Sequence, residues 1–331
     1  MRRSGRVALA ALAMTSLALA SAALASAVAL SEAVAAGPAP APAAPRPMVA
    51  RGSYRAFSDP VRLAVVGYTA AAMEPFVSAD GRYLLFNTSN VAPAVPSLQF
   101  AVRSGPRTFI YGGSIRGANQ PGFLSGTPSM DRDGILYFVS TRNYAAGLAT
   151  VYAGRFDSGA VRRVHAVPGV AAPAPGLVDF DVSVSPDGGS LYVSLGRFGD
   201  GSAPSRAGLV LFHRRRRGFV ADPRSATLLA AVNRAGPLVY AASVSTDGLE
   251  LFFTVADPTG GVVQIDRAAR LSSSRPFGHV QRVAAISGFA EAPSLSGDGT
   301  TLSYHLRVGK QFVIEQVTRP RAGQSTGAAA R

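Results

Sequence analysis

The stretch VSVSPDGGSLYVSL, residues 182–195, sets two alternating runs on either side of Asp187-Gly188. Glycine reaches positive φ without a Cβ penalty, so Asp-Gly between alternating runs predicts a tight β-hairpin. The same unit recurs outward in both directions. FVSADGRYLLFNTS (76–89) and SMDRDGILYFVST (129–141) precede it; SVSTDGLELFFTV (243–255) and SLSGDGTTLSYHL (294–306) follow it. The turn aspartates are Asp80, Asp133, Asp187, Asp247 and Asp298, with spacings of 53, 54, 60 and 51 residues. A period of that size signals a solenoid or a propeller.

Each copy continues with further β-rich runs, such as LATVYAGRF (148–156) with VRRVHAV (161–167), and GVVQIDR (261–267) with HVQRVAAI (279–286). Four short strands per period describe a propeller blade. No segment after residue 50 has a helical period. FSDPVRLAVVGYTAAAMEPFVSADG (57–81) is similar to FGHVQRVAAISGFAEAPSLSGDG (277–299), so the first copy opens on a fourth strand and the last ends on its third. Arg55 to Val66 is therefore expected to complete the last blade and leave no open edge there. The expectation is an all-β propeller of four-stranded blades, five in number, with six as the alternative.

These segments resemble the TolB-like, WD40-like β-propeller repeats of exported bacterial proteins, whose hallmark is S-x-D-G-x-x-L-x-F/Y. The resemblance covers most of residues 53–318. It implies that the strand before each Asp-Gly turn is innermost, with its early residues facing a central channel. The separate N-terminal domain of TolB has no counterpart, so a role in the Tol system does not follow.

Composition narrows the chemistry. The 331 residues are 47% hydrophobic, enough for a large core, and only 16% charged. The charge is lopsided: 33 Lys+Arg against 19 Asp+Glu, a net +14, with Lys310 the single lysine. With no cysteine there is no disulfide framework, thiol nucleophile or cysteine-ligated zinc. Lys310 sits in no phosphate-binding loop, and the chain has no G-x-S-x-G nucleophile elbow.

Residues 1–36 read as a signal peptide. Arg2, Arg3 and Arg6 precede an uncharged Ala/Leu run, and small residues offer cleavage after Ala27 or Ala35. An uncleaved anchor is the competing reading. Residues 37–50 form a Pro/Ala-rich linker, 51–320 the propeller, and 321–331 a disordered tail. The protein is expected to be exported, periplasmic or extracellular, and monomeric, with no transmembrane domain after cleavage.

Candidate site residues fall into three groups. The five turn aspartates are expected to accept backbone N–H bonds; they lack the extra residue and the Trp of the sialidase Asp-box. The channel-facing acids Glu74, Asp179, Asp181 and Glu291 are the weak catalytic candidates, Glu74, Asp181 and Glu291 first. Five-bladed arabinanases use three acidic residues from different blades, and paired carboxylates have the chemistry for glycoside hydrolysis. A ring of carboxylates also suits calcium, though nothing else in the sequence supports it, so no metal and no cofactor is expected. His165, His213, His279 and His305 form no ligand pair and read as ordinary strand or loop residues.

The third group is Arg214, Arg215, Arg216 and Arg217, expected at a hairpin turn between LVLF (209–212) and FVADPR (219–224) with four guanidiniums in solvent. They are the candidate binding site for a protein or an anionic envelope polymer. Sequence-specific nucleic-acid binding is not expected, because no aromatics are interleaved. The leading functional expectation is an exported, non-catalytic binding scaffold; the alternative is a five-bladed glycoside hydrolase using channel carboxylates.

Overall fold

The computed structural model describes residues 55–91, 93–199 and 203–321. The signal segment, the linker before residue 51 and the tail after 321 lie outside the described residues.

The chain is all-β, and each Asp-Gly sequence folds as an antiparallel hairpin. Two short strands lead in, β1 (Val61–Arg62) and β2 (Ala64–Val66). The first copy supplies β3 (Met73–Val77), β4 (Tyr83–Asn87), β5 (Leu98–Gly105) and β6 (Thr108–Ser114). The second supplies β7 (Ser125–Met130), β8 (Ile135–Asn143), β9 (Ala149–Asp157) and β10 (Ala160–Ala166). The third holds β11 (Leu177–Val184), β12 (Ser190–Phe198), β13 (Pro204–Arg215) and β14 (Gly218–Ala221). The fourth holds β15 (Leu238–Val244), β16 (Glu250–Ala256), β17 (Val263–Ala269) and β18 (Gly278–Arg282). The last copy has three strands, β19 (Ala290–Leu295), β20 (Thr301–Val308) and β21 (Gln311–Thr318).

Within each copy the strands pair in sequence order, and a single parallel pair, Ala207 with Leu238, joins the third and fourth copies. The first strands touch in a circle: β3 meets β7, then β11, β15 and β19, and β19 returns to β3. The apolar faces pack between neighbouring copies, where Leu84, Leu136, Leu191, Leu251 and Leu302 are all fully buried or nearly so. Sequence alternation puts such residues on both faces because both are covered.

Residues 58–66 stitch the ends together. Val61 and Arg62 pair antiparallel with Gln316 and Glu315, and Ser58 N–H donates to Thr318 O at 2.6 Å. Two residues later, Ala64–Val66 runs parallel to Thr108–Ile110 on the first copy's outer strand. One short segment thus contacts both terminal sheets.

A device that the sequence reading missed recurs behind the turns. In the first copy and the last three, a third-strand arginine donates Nε–H to the carbonyl of the turn glycine: Arg103 to Gly81, Arg214 to Gly188, Arg270 to Gly248 and Arg319 to Gly299. These four guanidiniums also lie 4.2–4.9 Å from the ring centroids of Phe109, Phe219, Phe277 and Phe57. A planar fork that stacks and donates at once is a property of arginine, not lysine. Phe57, from the N-terminal segment, fills the last copy's aromatic position.

Candidate functional site

Every first strand bends at the same level. Counting back six residues from each turn aspartate gives Glu74, Thr127, Asp181, Ala241 and Ala292. Pairing slips across this residue in four of the hairpins; in the third it slips one step earlier, between Asp179 and Asp181, and Asp181 pairs with Ser194. Four of these residues, Glu74, Thr127, Ala241 and Ala292, hold φ between 51° and 56°. Left-handed backbone at non-glycine residues costs on the order of 1 kcal/mol or more and persists only where surroundings enforce it. The five residues line a cavity of about 60 Å³, whose lining also includes Ala79, Arg132, Pro186 and Gly297 from beside the turns.

What enforces the bend is a hydrogen bond from the neighbouring copy. The residue seven after the turn aspartate is polar and fully buried in every copy: Asn87, Ser140, Ser194, Thr254 and His305. Asn87 accepts the N–H of Thr127 at 3.0 Å, Ser194 that of Ala241 at 3.1 Å, and Thr254 that of Ala292 at 3.0 Å. His305 closes the circle, its Nδ1 accepting the N–H of Glu74 at 3.1 Å. Between the second and third copies Thr150 acts instead, donating to the carbonyl of Asp179.

His305 is therefore no ordinary strand residue, a correction to the sequence reading. Because Nδ1 accepts from an N–H, the imidazole proton in this arrangement sits on Nε2, which lies 3.0 Å from Glu291 Oε2. The Tyr240 hydroxyl donates to the other Glu291 oxygen. Asn90 donates to Glu74 Oε1 at 3.1 Å. Tyr240 stands where the last copy carries Glu291, and His305 where the other copies carry Asn87, Ser140, Ser194 and Thr254.

The electrostatics follow from enclosure. Burial, partly countered by His305 and reinforced by Asp181 and Glu291, pushes the Glu74 carboxyl up to about 8. Burial likewise lifts Asp181 and Asp179 to about 7 each. Burial, then the charge of and hydrogen bond to Glu291, drive Tyr240 well above its ordinary value, so it stays a donor. Burial opposes a charged His305, but the hydrogen bond to Glu291 and the fields of Glu74 and Glu291 outweigh it and shift the ring upward.

The structure thus brings Glu74, Asp181 and Glu291 into one electrostatic group around Tyr240 and His305. Asp179 stands apart from it: it is not in the cavity lining, and its buried Oδ2 has no hydrogen-bond partner. A neutral carboxylic acid at pH 7 beside a second carboxyl can deliver a proton to a leaving oxygen. Among the described residues, no group of three or more His, Asp or Glu side chains is arranged to hold a metal ion.

The other candidates lie at the turns. Asp80, Asp187, Asp247 and Asp298 each accept the backbone N–H two residues on, at 2.9–3.1 Å, and the Ser hydroxyl two residues before. Asp133 departs from that expectation. In the second copy Asp131 stands where the others have serine, and its Oδ1 takes the N–H groups of Asp133 and Ile135 at 3.0 and 2.9 Å.

Arg214 is a second correction. Its side chain is exposed like its neighbours but is also held: besides Gly188 and Phe219 it donates to the Tyr137 hydroxyl at 2.5 Å and lies 3.9 Å from Asp131. It belongs to the repeated turn-anchoring set. Arg215, Arg216 and Arg217 are exposed, around the predicted hairpin turn. Asp222 pairs with His213 at 2.8 Å and with Arg224 at 3.6 Å.

No known protein family matches the sequence, and no curated protein does either. Solved structures do. A glycoside hydrolase aligns over 84% of this chain and 95% of its own at 13% identity, TM-score 0.57. Zg3597, a family 117 glycoside hydrolase from Zobellia galactanivorans, aligns over 80% and 90% at 12% identity, TM-score 0.51. TolB from Acinetobacter baumannii gives 14% identity and TM-score 0.44 over 76% of this chain, which spans only 55% of TolB. No helix among the described residues is long and apolar enough to cross a membrane. At such identities the likeness speaks to architecture: the chain has an all-β, propeller-like fold.

Proposed function

We propose that this chain is an exported five-bladed propeller, its last blade completed by Val61–Arg62, that hydrolyses glycosidic bonds with carboxyl groups on its axis. The circle of first strands and the stitch at residues 58–66 support the blade count and the closure. Residues 1–36 support export. The observation that carries the activity is that Glu74 and Asp181, from different first strands, both line the axial cavity, with Glu291 outside the lining but within electrostatic reach of Glu74, whose carboxyl burial lifts to about 8. Glu74 gives its proton to the glycosidic oxygen as the C–O bond breaks. Asp181, from another first strand, takes the proton of the water that adds to the anomeric carbon, in the fraction of molecules where it is ionised. Glu291 is held by His305 and Tyr240 and positions the pair. The glycoside hydrolases among the structural neighbours favour this reading over a purely structural one.

A specific observation favours a second reading, the non-catalytic binding scaffold. A cavity of about 60 Å³ holds a few waters rather than a pyranose ring. Hydrolysis therefore requires this cavity to widen around the bond. Reducing-sugar release from a panel of polysaccharides and aryl glycosides separates the two. The hydrolase reading expects activity that falls by a factor of about 10² or more in Glu74→Gln with the melting temperature retained. Absence of turnover across the panel, or turnover unchanged in that variant, leaves the scaffold.

A further inference from the structure

Beside the axial cavity, on the face formed by the turns, a second cavity of about 780 Å³ opens between the fourth and fifth copies. Gly297 lines both cavities. The volume lies within the roughly 300–1,000 Å³ usual for small-ligand sites. Five guanidiniums border it, those of Arg55, Arg267, Arg270, Arg319 and Arg321, against the three carboxylates of Asp247, Glu250 and Asp298. Cations exceed acids, so the cavity carries a net positive charge.

The guanidiniums are held in place before any ligand arrives. Arg319 grips Glu250 through both terminal nitrogens, at 3.1 and 2.5 Å. Arg267 shares the same carboxylate. Arg270 donates to Gly248 O and Ser273 O while stacked 4.2 Å from the Phe277 centroid. Guanidiniums positioned this way lose little freedom on accepting an anion. Between them lies an apolar wall that includes Leu249 and Leu271, the latter 61% exposed.

Fixed cations beside an exposed apolar surface match a ligand with an anionic group and an apolar face. A pyranose ring carrying a carboxylate has both. We propose that the cavity between the fourth and fifth copies is a subsite for the uronate residues of an acidic polysaccharide, adjoining the axial cavity. This rests on the hydrolase reading for the choice of a glycan and specifies its substrate class. The same positive field would draw the polymer to this face.

The test is titration calorimetry at low salt, using a galacturonate trisaccharide, a neutral galactose trisaccharide and inorganic phosphate as probes on the Glu74→Gln protein. The uronate trimer is expected to bind at least about tenfold more tightly than the neutral one. Leu271→Glu, which places an acid among the guanidiniums, should weaken it by a further tenfold or so. Arg321→Gln should weaken it a few-fold. Both side chains are exposed, so an unchanged melting temperature certifies the fold. Equal binding of the two trimers, no response to Leu271→Glu, or phosphate binding as tightly as the uronate trimer each overturns the proposal. Uronate binding without any glycan turnover sinks only the hydrolase reading. Turnover of neutral glycans without uronate preference sinks only the subsite.

Discussion

Two sets of carboxylates, one at the turns and one on the first strands, come from the same hairpins six to eight residues apart and have opposite fates. At the turns, hydrogen bonds from Ser hydroxyls and backbone N–H groups overcome modest burial, and Asp80, Asp187 and Asp298 are held below the usual aspartate range, Asp298 at about 2. On the first strands burial dominates, and Glu74, Asp179 and Asp181 are lifted to about 8, 7 and 7. Donors and water stabilise the charged form; enclosure without enough donors stabilises the neutral one. The first set builds the hairpin, and the second holds its protons in the folded state.

The difference is easiest to break with pH. Folded Glu74, Asp179 and Asp181 keep protons that the unfolded chain has released, so stability should fall as pH rises from about 4 to about 8. The turn aspartates act with the opposite sign: their contribution is present above about pH 4 and is lost as pH falls toward 2. Stability should peak near pH 4–5 and fall steadily on the alkaline side. Melting curves from pH 3 to 9 measure this, and the combined Glu74→Gln, Asp179→Asn, Asp181→Asn protein should lose the alkaline slope. A wild-type profile flat between pH 5 and 8 would show the first-strand carboxyls to be ordinary.

The circle of hydrogen bonds offers a sharper contrast of moderate size. His305→Ala removes the acceptor of the Glu74 N–H and strips the buried Glu291 of a partner, a loss of about 3–5 kcal/mol. Thr254→Val removes only the acceptor of the Ala292 N–H and should cost about 1–3 kcal/mol. Urea denaturation of both proteins tests the order. Equal losses would mean that Glu291 draws nothing from His305.

The smallest effects concern the turns. Asp131→Ala should cost about 1–3 kcal/mol, because two N–H groups lose a buried acceptor, whereas Asp133→Ala should stay within about 0.5 kcal/mol. Arg214→Gln should cost about 1 kcal/mol through its lost bonds to Gly188 and Tyr137. Replacing Arg215, Arg216 and Arg217 with Ser should leave the melting temperature unchanged. If Arg214 proves as silent as its neighbours, the turn-anchoring role fails.

The hairpins were legible because they are local. Asp187-Gly188 with alternating residues on both sides specifies a turn and two strands without help from the rest of the chain, and the likeness of 57–81 to 277–299 pointed to the N-terminal segment beside β21. Glu74, Asp181 and Glu291 could be singled out because acids are rare in otherwise apolar first strands. His305 and Arg214 were misread for the converse reason. Each looks ordinary in its own copy, and only superposing the five copies reveals a buried polar residue seven places after every turn aspartate, or an arginine behind the turns.

By itself, then, the sequence determined the β class, the period, the turn chemistry and the scarcity of acids on the inner strands, all of which are written within a dozen residues of one another. The tertiary structure alone decided which copy supplies the acceptor for its neighbour's bent strand, that Tyr240 and His305 converge on Glu291, and that Asp131 replaces Asp133. It also decided that five arginines from the N-terminal segment and the last two copies share one cavity. Those outcomes depend on the circle of first strands, which brings Glu74 and His305 together across 231 residues. Contacts of that range are set by how the sheets pack, and no local pattern encodes them.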